Sequence, residues 1–228
     1  MILYLIRHGR QSSTLCNVDV PLNEIGKRQA KLLGERMRKY TLDALYSSDL
    51  TRAMETTEIV FAGRRELLAK LQIRKELREM DFGSLTGKPD EEVKAFYQKY
   101  YEENRRLFEE RKEGALWHPY FIPQTDMGYP EGENGVLVWE RVLPLLEEML
   151  QSGKKQIAVV CHGGTIRTIL AALFGRDINS RLLFGTSLEN CSITQIHYDE
   201  EKKGFFLDRF NDYAHLEEQE ELLRKSRR

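Results

Sequence analysis

The stretch Leu3-Tyr4-Leu5-Ile6-Arg7-His8-Gly9 decides the fold of this chain. A short apolar run ends abruptly at an arginine, a histidine and a glycine, which is typical of a buried strand followed by a turn. In open α/β sheets, ligands bind at the carboxyl ends of the strands. A cation and an imidazole at that end predict an anionic substrate and a group that attacks it or moves a proton. The alternative interpretation is a surface arginine–histidine pair that caps a strand.

Length and charge place the chain among ordinary globular proteins. It has 228 residues, of which 41% are hydrophobic and 31% charged, and this suits one α/β domain with a sizeable core. Lys and Arg number 35 and Asp and Glu 36, so the net charge gives no general attraction to nucleic acid or to a membrane. We therefore expect neither as a partner, and any positive potential must be local.

The cysteines and the hydropathy pattern predict a cytoplasmic protein. Cys16, Cys161 and Cys191 are too few and too scattered for a disulfide framework or a zinc site, and they fit reduced thiols. The apolar runs of the sequence are all shorter than the roughly 18 residues of a membrane span. Arg7 interrupts the first apolar run too early for a signal peptide.

The rest of the chain alternates helices with strands, which is the pattern of an α/β fold. Apolar periodicity predicts helices at residues 23–40, 50–61, 90–112, 136–150 and 164–174. Predicted strands lie at 44–47, 157–161, 192–198 and 205–209, the last two antiparallel, with an extended segment at 70–78. Asn23 and Ser47-Ser48-Asp49 are expected to cap the helices that follow them.

The end of the sequence predicts one more helix. Residues 213–228 are polar, with acids first and bases last, an order that suits the helix dipole. No internal repeat or linker divides residues 1–228, so we expect a single domain.

Two apolar strands end in the same dipeptide, at His8-Gly9 and at His162-Gly163. If these strands are parallel, both imidazoles lie at one edge of the sheet. A helix that starts at Gly164-Thr165 would aim backbone N–H groups at that edge, which favours an anion.

Charged side chains complete a candidate site at this edge. Arg7 and Arg52 are able to grip a phosphate in bidentate fashion. Glu79, in a predicted loop before Phe82-Gly83, could supply a proton. A phosphoryl group in transfer carries its negative charge on its equatorial oxygens, so cationic side chains around it stabilise the transition state. These residues predict phosphoryl transfer that needs neither a metal nor a cofactor.

Six motifs resemble, in the same order, those of the histidine phosphatase superfamily, the phosphoglycerate mutase-like proteins. They are Arg7-His8-Gly9, residues 21–26 (PLNEIG), 47–53 (SSDLTRA), 77–83 (LREMDFG), 132–134 (GEN) and 160–164 (VCHGG). The resemblance implies an α/β fold, a three-layer α/β/α sandwich with a mostly parallel central sheet.

The resemblance also implies roles for individual residues. His8 would be the nucleophile that is transiently phosphorylated, and Glu79 would donate a proton to the leaving oxygen. The phosphoryl group would be bound by Arg7, Arg52, His162 and Gly163. His162 would be most useful in its protonated form, as a donor to the phosphoryl oxygens.

The loop after Gly9 departs from the family pattern. The family usually has an acidic residue or glutamine next, then Thr or Ser, and an asparagine six residues past the histidine. This chain has Arg10, Gln11 and Thr14 at those positions, with Asn17 further on. Either Thr14 or Asn17 could replace the phosphate-binding asparagine, and either Gln11 or Ser12 could replace the hydroxyl.

Residues 96–133 are the expected cover of the active site. The segment contains Phe96, Tyr97, Tyr100, Tyr101, Arg105, Arg106, Lys112, Trp117 and His118. These side chains would contact the part of the substrate beyond its phosphate, or the aromatics would simply pack on the core of the protein.

The expected activity is that of a phosphatase acting on a small phosphorylated metabolite. Residues 84–87 (SLTG) resemble the phosphatase branch of the family, and the longer insertions of the mutases are absent from the sequence. A phosphoglycerate mutase-type transfer and a non-catalytic phospho-ligand-binding protein are the alternatives. The physiological substrate stays open, as does the oligomeric state, for which a dimer is one option.

Overall fold

The central sheet is built around the first strand of the chain. In the computed structural model, which describes residues 1–111, 128–174, 178–184 and 187–224, the strand order is β3-β2-β4-β1-β5-β6. The strands are β1 (Ile2–Arg7), β2 (Ala44–Ser47), β3 (Gln72–Ile73), β4 (Gln156–Cys161), β5 (Ile193–Asp199) and β6 (Gly204–Asp212).

Strand directions confirm a mostly parallel sheet. β1 pairs in parallel with β4, and β4 with β2, which also pairs in parallel with the short β3. β5 runs antiparallel to β1, and β6 antiparallel to β5. In this register Arg7 lies beside Cys161, so His8 and His162 follow their strands at the same edge, as predicted.

Helices cover both faces of the sheet. They are α1 (Glu24–Met37), α2 (Thr51–Val60), α3 (Arg65–Leu68), α4 (Asp90–Arg111), α5 (Gly135–Gln151) and α6 (Gly163–Leu173). Side chains of a strand point alternately to its two faces. Leu5 of β1 accordingly packs in one core cluster with Val142 of α5 and Ile169 of α6, whereas Ile6 packs in another with Leu33 of α1. The three-layer α/β/α arrangement is therefore confirmed.

The predicted capping residues behave differently at two helices. Asn23 caps α1 as predicted, since its side chain accepts a hydrogen bond from the Gly26 backbone. The prediction for α2 is wrong, because Leu50 is the N-cap and gives no side-chain cap. Ser48 hydrogen-bonds His162 instead, and Asp49 forms an ion pair with Arg78. Ser48 also accepts a hydrogen bond from the N–H of Leu50 over 3.3 Å, but neither side chain bonds an N–H group of the first turn of α2.

The C-terminal helix predicted at 213–228 is wrong over residues 213–224, which we call the tail. The tail forms two single 3₁₀ turns, Ala214–Leu216 and Glu220–Leu222. Leu216 and Leu222 are fully buried, so tertiary packing overrides the charge pattern of a helix. Residues 225–228 lie outside the described residues.

The predicted cover at 96–133 is described only in part. α4 carries Phe96, Tyr97 and Tyr100, and these pack against the core on the α5–α6 side of the sheet. Tyr129 stacks on Phe82 with ring centroids 4.2 Å apart. Core packing therefore accounts for these three aromatics of α4. Lys112, Trp117 and His118 lie outside the described residues. The backbone of Tyr101, Arg105 and Arg106 is described as part of α4, but their side chains are not.

The part of the chain that the structure describes contains no helix with the length and apolar character needed to cross a membrane.

Candidate active site

A cavity of about 610 Å³ opens at the carboxyl end of β1. Its walls carry four arginines and two carboxylates, which are Arg7, Arg10, Arg52, Arg224, Glu79 and Asp90. The local positive charge expected from a chain with balanced totals is therefore found here, around His8.

Hydrogen bonds to neighbouring strands and loops fix the backbone of His8. Its N–H donates to the Cys161 carbonyl over 3.0 Å, and its own carbonyl accepts from Asn190 Nδ2 over 2.9 Å. Gly9 must be a glycine, because a Cβ there would lie 2.7 Å from the carbonyl oxygen of Gly26. The turn after β1 is thus wedged against the start of α1.

The ring of His8 presents one defined nitrogen. Nδ1 lies 2.7 Å from the Gly9 carbonyl oxygen, and since a carbonyl only accepts, Nδ1 carries the proton and Nε2 the lone pair. Burial, followed by the charges of Arg52 and Arg7, lowers the pKa of His8 well below its usual value. His8 is therefore a neutral imidazole at neutral pH.

Arg52 is held by the loop that departs from the family pattern. Its side chain is only 2% exposed. Nη1 donates to the Val18 carbonyl over 3.1 Å, and Nη2 donates to Asn17 Oδ1 over 3.0 Å. Thr14 is exposed at the cavity wall. Of the two predicted candidates, Asn17 is the one that contacts an arginine of the site, and its binding to phosphate stays a prediction.

Arg7 is anchored on the other side of His8. Its Nη1 donates to the Leu188 carbonyl. Gly163 lies against this guanidinium, since a Cβ on the glycine would lie 3.5 Å from Arg7 Nε. Burial, followed by the nearby charge of Arg224, lowers the pKa of Arg7 to about 9.

Three buried nitrogens around His8 lack a protein partner. Within the described residues, no acceptor or donor lies within hydrogen-bonding reach of Arg7 Nε, Arg52 Nε or His162 Nδ1. Burying such groups without partners costs about 1–3 kcal/mol each. Oxygens of an anionic ligand would satisfy the two guanidinium groups, so the residues present fit a phosphoryl group.

His162 lies behind His8 with ring centroids 5.0 Å apart. Its Nε2 is 2.9 Å from Ser48 Oγ. Burial, followed by the charges of Arg52 and His8, lowers the pKa of His162 well below its usual value. The expected protonated form is therefore not the resting form of this structure. A bound dianion would reverse this by adding negative charge beside the ring.

Glu79 occupies the helix start that was predicted to bind the substrate anion. Its carboxylate accepts from the backbone N–H groups of Gly164 over 3.2 Å and Thr165 over 3.3 Å. A Cβ on Gly164 would lie 2.4 Å from Glu79 Oε1. The N-terminus of α6 therefore binds Glu79, and this carboxylate faces the cavity in place of the backbone N–H groups.

A family model described as the histidine phosphatase superfamily (branch 1) matches residues 3–213. The chain belongs to this superfamily.

Curated and solved relatives of this superfamily match nearly the whole chain. A probable phosphoglycerate mutase GpmB of Yersinia pestis is 29% identical over 229 residues, covering 94% of each chain. Bacillus stearothermophilus YhfR has a TM-score of 0.74 at 25% identity, covering 94% of this chain and 98% of that one. A mycobacterial glucosyl-3-phosphoglycerate phosphatase with inorganic phosphate has a TM-score of 0.70 at 25% identity and the same coverage.

The structure of this superfamily member also places residues in the site that sequence reasoning missed. Ser48 was interpreted as a helix cap, although it follows β2 at the same edge as His162, and its N–H bonds the Val160 carbonyl over 2.9 Å. Asn190 and Arg224 carry no local motif, and only the folded chain brings them to His8.

Proposed function

We propose that this member of the histidine phosphatase superfamily hydrolyses small phosphomonoesters through a phosphohistidine at His8. The observation that carries the proposal is the fixed tautomer of a neutral His8 between two arginines whose Nε atoms are buried without a hydrogen-bond partner. A neutral Nε2 has the lone pair that a nucleophile needs, and the guanidinium groups supply the charge that a phosphoryl group in transfer needs.

The proposed reaction has two steps. His8 Nε2 attacks phosphorus while the bond to the leaving oxygen breaks, and Glu79, which enters this step as the carboxylic acid, gives that oxygen its proton and becomes a carboxylate. Water then attacks the phosphohistidine, Glu79 takes the proton of the water, and phosphate leaves with His8 restored. Arg7, Arg52 and His162 stabilise the charge of the equatorial oxygens in both steps.

Side chains alone are proposed to supply this stabilisation. Among the described residues, no group of three or more His, Cys, Asp or Glu side chains is arranged to hold a metal ion. Activity is therefore expected to survive treatment with EDTA, and restoration of a lost activity by a divalent cation would contradict a metal-independent mechanism.

Phosphate release from p-nitrophenyl phosphate, glycerol 3-phosphate and 3-phosphoglycerate tests the proposal. His8→Ala should lower release by about 10³-fold or more, because it removes the nitrogen proposed to form the covalent intermediate. His197→Ala is the matched control, since His197 lies on β5 and bonds Asp208 at the surface. Equal release by the two variants would overturn the role of His8.

A phosphoglycerate mutase is the second candidate, favoured by the 29% identical Yersinia pestis relative. The short connection from the 3₁₀ turn Gly83–Leu85 to α4 at Asp90 leaves no room for a long covering insertion there, which favours a site that admits water. Brisk interconversion of 2- and 3-phosphoglycerate with little phosphate release would decide for the mutase.

A non-catalytic phospho-ligand-binding protein is the third possibility. Acid-labile phosphate trapped on His8 after a brief reaction with substrate would exclude it, because a binding protein forms no covalent intermediate.

A further inference from the structure

Arg10 connects the cavity to the tail. Its Nη2 donates to the carbonyl oxygens of Leu222 over 3.1 Å and Leu223 over 3.0 Å. Buried Gln29 of α1 adds a second link, since its Nε2 donates to the Leu222 carbonyl over 2.7 Å and its Oε1 accepts from the Arg10 backbone over 2.9 Å. The arginine that departs from the family pattern thus holds the tail against α1.

Glu189 fixes the next residues of the tail beside the nucleophile. The Arg224 backbone N–H donates to Glu189 Oε2 over 3.2 Å, while Glu189 Oε1 accepts from the backbone of Asn190 over 3.0 Å. Asn190 in turn holds the carbonyl of His8. A fully buried carboxylate therefore joins the tail to the strand end that carries His8, and the side chain of Arg224 lines the cavity.

The four arginines of the cavity divide into two groups. Arg7 and Arg52 flank His8 and carry the buried nitrogens that suit a phosphoryl group. Arg10 donates to two tail carbonyls, and Arg224 lines the cavity from the tail. Burial lowers the pKa values of Arg7 and His8, and the charge of Arg224 lowers both further. A guanidinium group at that wall matches a carboxylate or a second phosphate in bidentate fashion.

We propose that Arg224 is a specificity-determining residue that binds a second anionic group of the substrate, and that Arg10 is the positioning residue that holds the tail for it. This inference rests on the proposed function, and it adds a substrate class. The preferred substrates are phosphomonoesters whose leaving group carries a carboxylate or a further phosphate.

Glycerol 3-phosphate and 3-phosphoglycerate are a matched pair of substrates, since they differ mainly in a carboxylate. Arg224→Gln should lower kcat/KM for 3-phosphoglycerate by about 10- to 100-fold, the range for a lost charge-assisted contact. For glycerol 3-phosphate the loss in kcat/KM should be at least about threefold smaller, because this substrate lacks the carboxylate. Arg38→Gln, the same change at an exposed position outside the cavity, is the control. Equal losses for both substrates, or no loss, would overturn the proposal.

The role of Arg10 is tested by combining variants. If Arg10 acts through the tail, Arg10→Gln should lower kcat/KM for 3-phosphoglycerate selectively, and adding Arg224→Gln should cause little further loss. Additive losses would show that Arg10 acts on the substrate independently, which overturns its positioning role. Arg224→Lys keeps the charge and should restore part of the preference.

Calorimetric binding to His8→Ala protein separates this inference from the proposed function. This variant should bind 3-phosphoglycerate more tightly than glycerol 3-phosphate, and the added Arg224→Gln change should remove the difference. Equal affinities of the two ligands in His8→Ala would overturn the inference. If wild-type protein releases no phosphate but shows this Arg224-dependent difference in affinity, the proposed phosphatase activity is wrong. The inference about Arg224 then still stands.

Discussion

At the scale of the residue, one carbonyl decides the chemistry of His8. The Gly9 oxygen holds the proton on Nδ1, and burial of the ring, followed by the charges of Arg52 and Arg7, opposes a second proton. In the proposed mechanism, the two arginines that help burial to keep the His8 ring neutral also bind the anionic substrate.

The lowered pKa values of His8 and His162 predict two neutral rings in slightly acidic solution. An ordinary histidine, with a pKa near about 6.5, is mostly charged at pH 5.5. NMR of protein labelled with ¹³C-histidine should show both rings neutral at pH 5.5 without ligand, assigned by His8→Ala and His162→Ala. Titration of either ring near pH 6.5 would contradict the electrostatic account.

Glu79 should matter most where the leaving group is poor. Glu79→Gln removes the proton donor, so kcat for glycerol 3-phosphate should fall by about 10²- to 10⁴-fold. p-Nitrophenolate leaves without a proton, and its release from p-nitrophenyl phosphate in the first turnover should fall much less. Equal losses in single-turnover measurements would assign Glu79 a role in binding or folding instead.

At the scale of the element, the start of α6 shows what a sequence can and cannot predict. The motif around His162 predicted the strand, the helix and the edge of the sheet correctly. It did not predict which anion sits at the helix start, since Glu79 arrives from a loop far away in sequence. Arg7, His8, Arg52 and Glu79 were predicted from a strand end, a helix start and a loop, and they lie in family motifs. Ser48 lies in such a motif directly after β2 but was interpreted as a helix cap. Asn190 and Arg224 reach the site through tertiary contacts alone.

Gly164→Ala tests how α6 positions Glu79. The added Cβ would lie 2.4 Å from Glu79 Oε1, so the carboxylate must move, and a shift of about 1 Å can cost about 10²-fold in rate. Gly63→Ala is the control, because a Cβ there meets nothing within 4 Å. We expect kcat to fall only in Gly164→Ala, with circular dichroism showing both variants folded. Unchanged kcat would mean that the position of Glu79 is not critical.

At the scale of the whole molecule, buried histidines tie stability to pH. Besides His8 and His162, His215 of the tail accepts from Arg36 of α1 over 3.3 Å, and burial and that charge lower the pKa of His215 to about 4. Asp212 bonds the same arginine. One of the contacts that attach the tail to α1 therefore requires an uncharged imidazole.

The protein should lose stability as the pH falls from 6.5 toward 4. Unfolded histidines take up protons below about pH 6.5, while these folded ones do not, so the free energy of unfolding falls by about 1.4 kcal/mol per pH unit for each such histidine. Urea midpoints at pH 7 and pH 5 measure this. In His215→Gln the free energy of unfolding should decrease less between pH 7 and pH 5, by the contribution of one histidine. A free energy of unfolding that is constant over this range would contradict the prediction.

The position of β1 in the sheet has a consequence for biosynthesis. Ile2 pairs with Gln156 of β4 on one side and with His197 of β5 on the other. The ribosome makes β1 long before either partner, so the apolar strand that precedes His8 stays unpaired until β4 and β5 have been made. Such distant pairing makes folding slow and the nascent chain prone to aggregation. It also means that the site around His8 cannot form before β4 and β5 have been made.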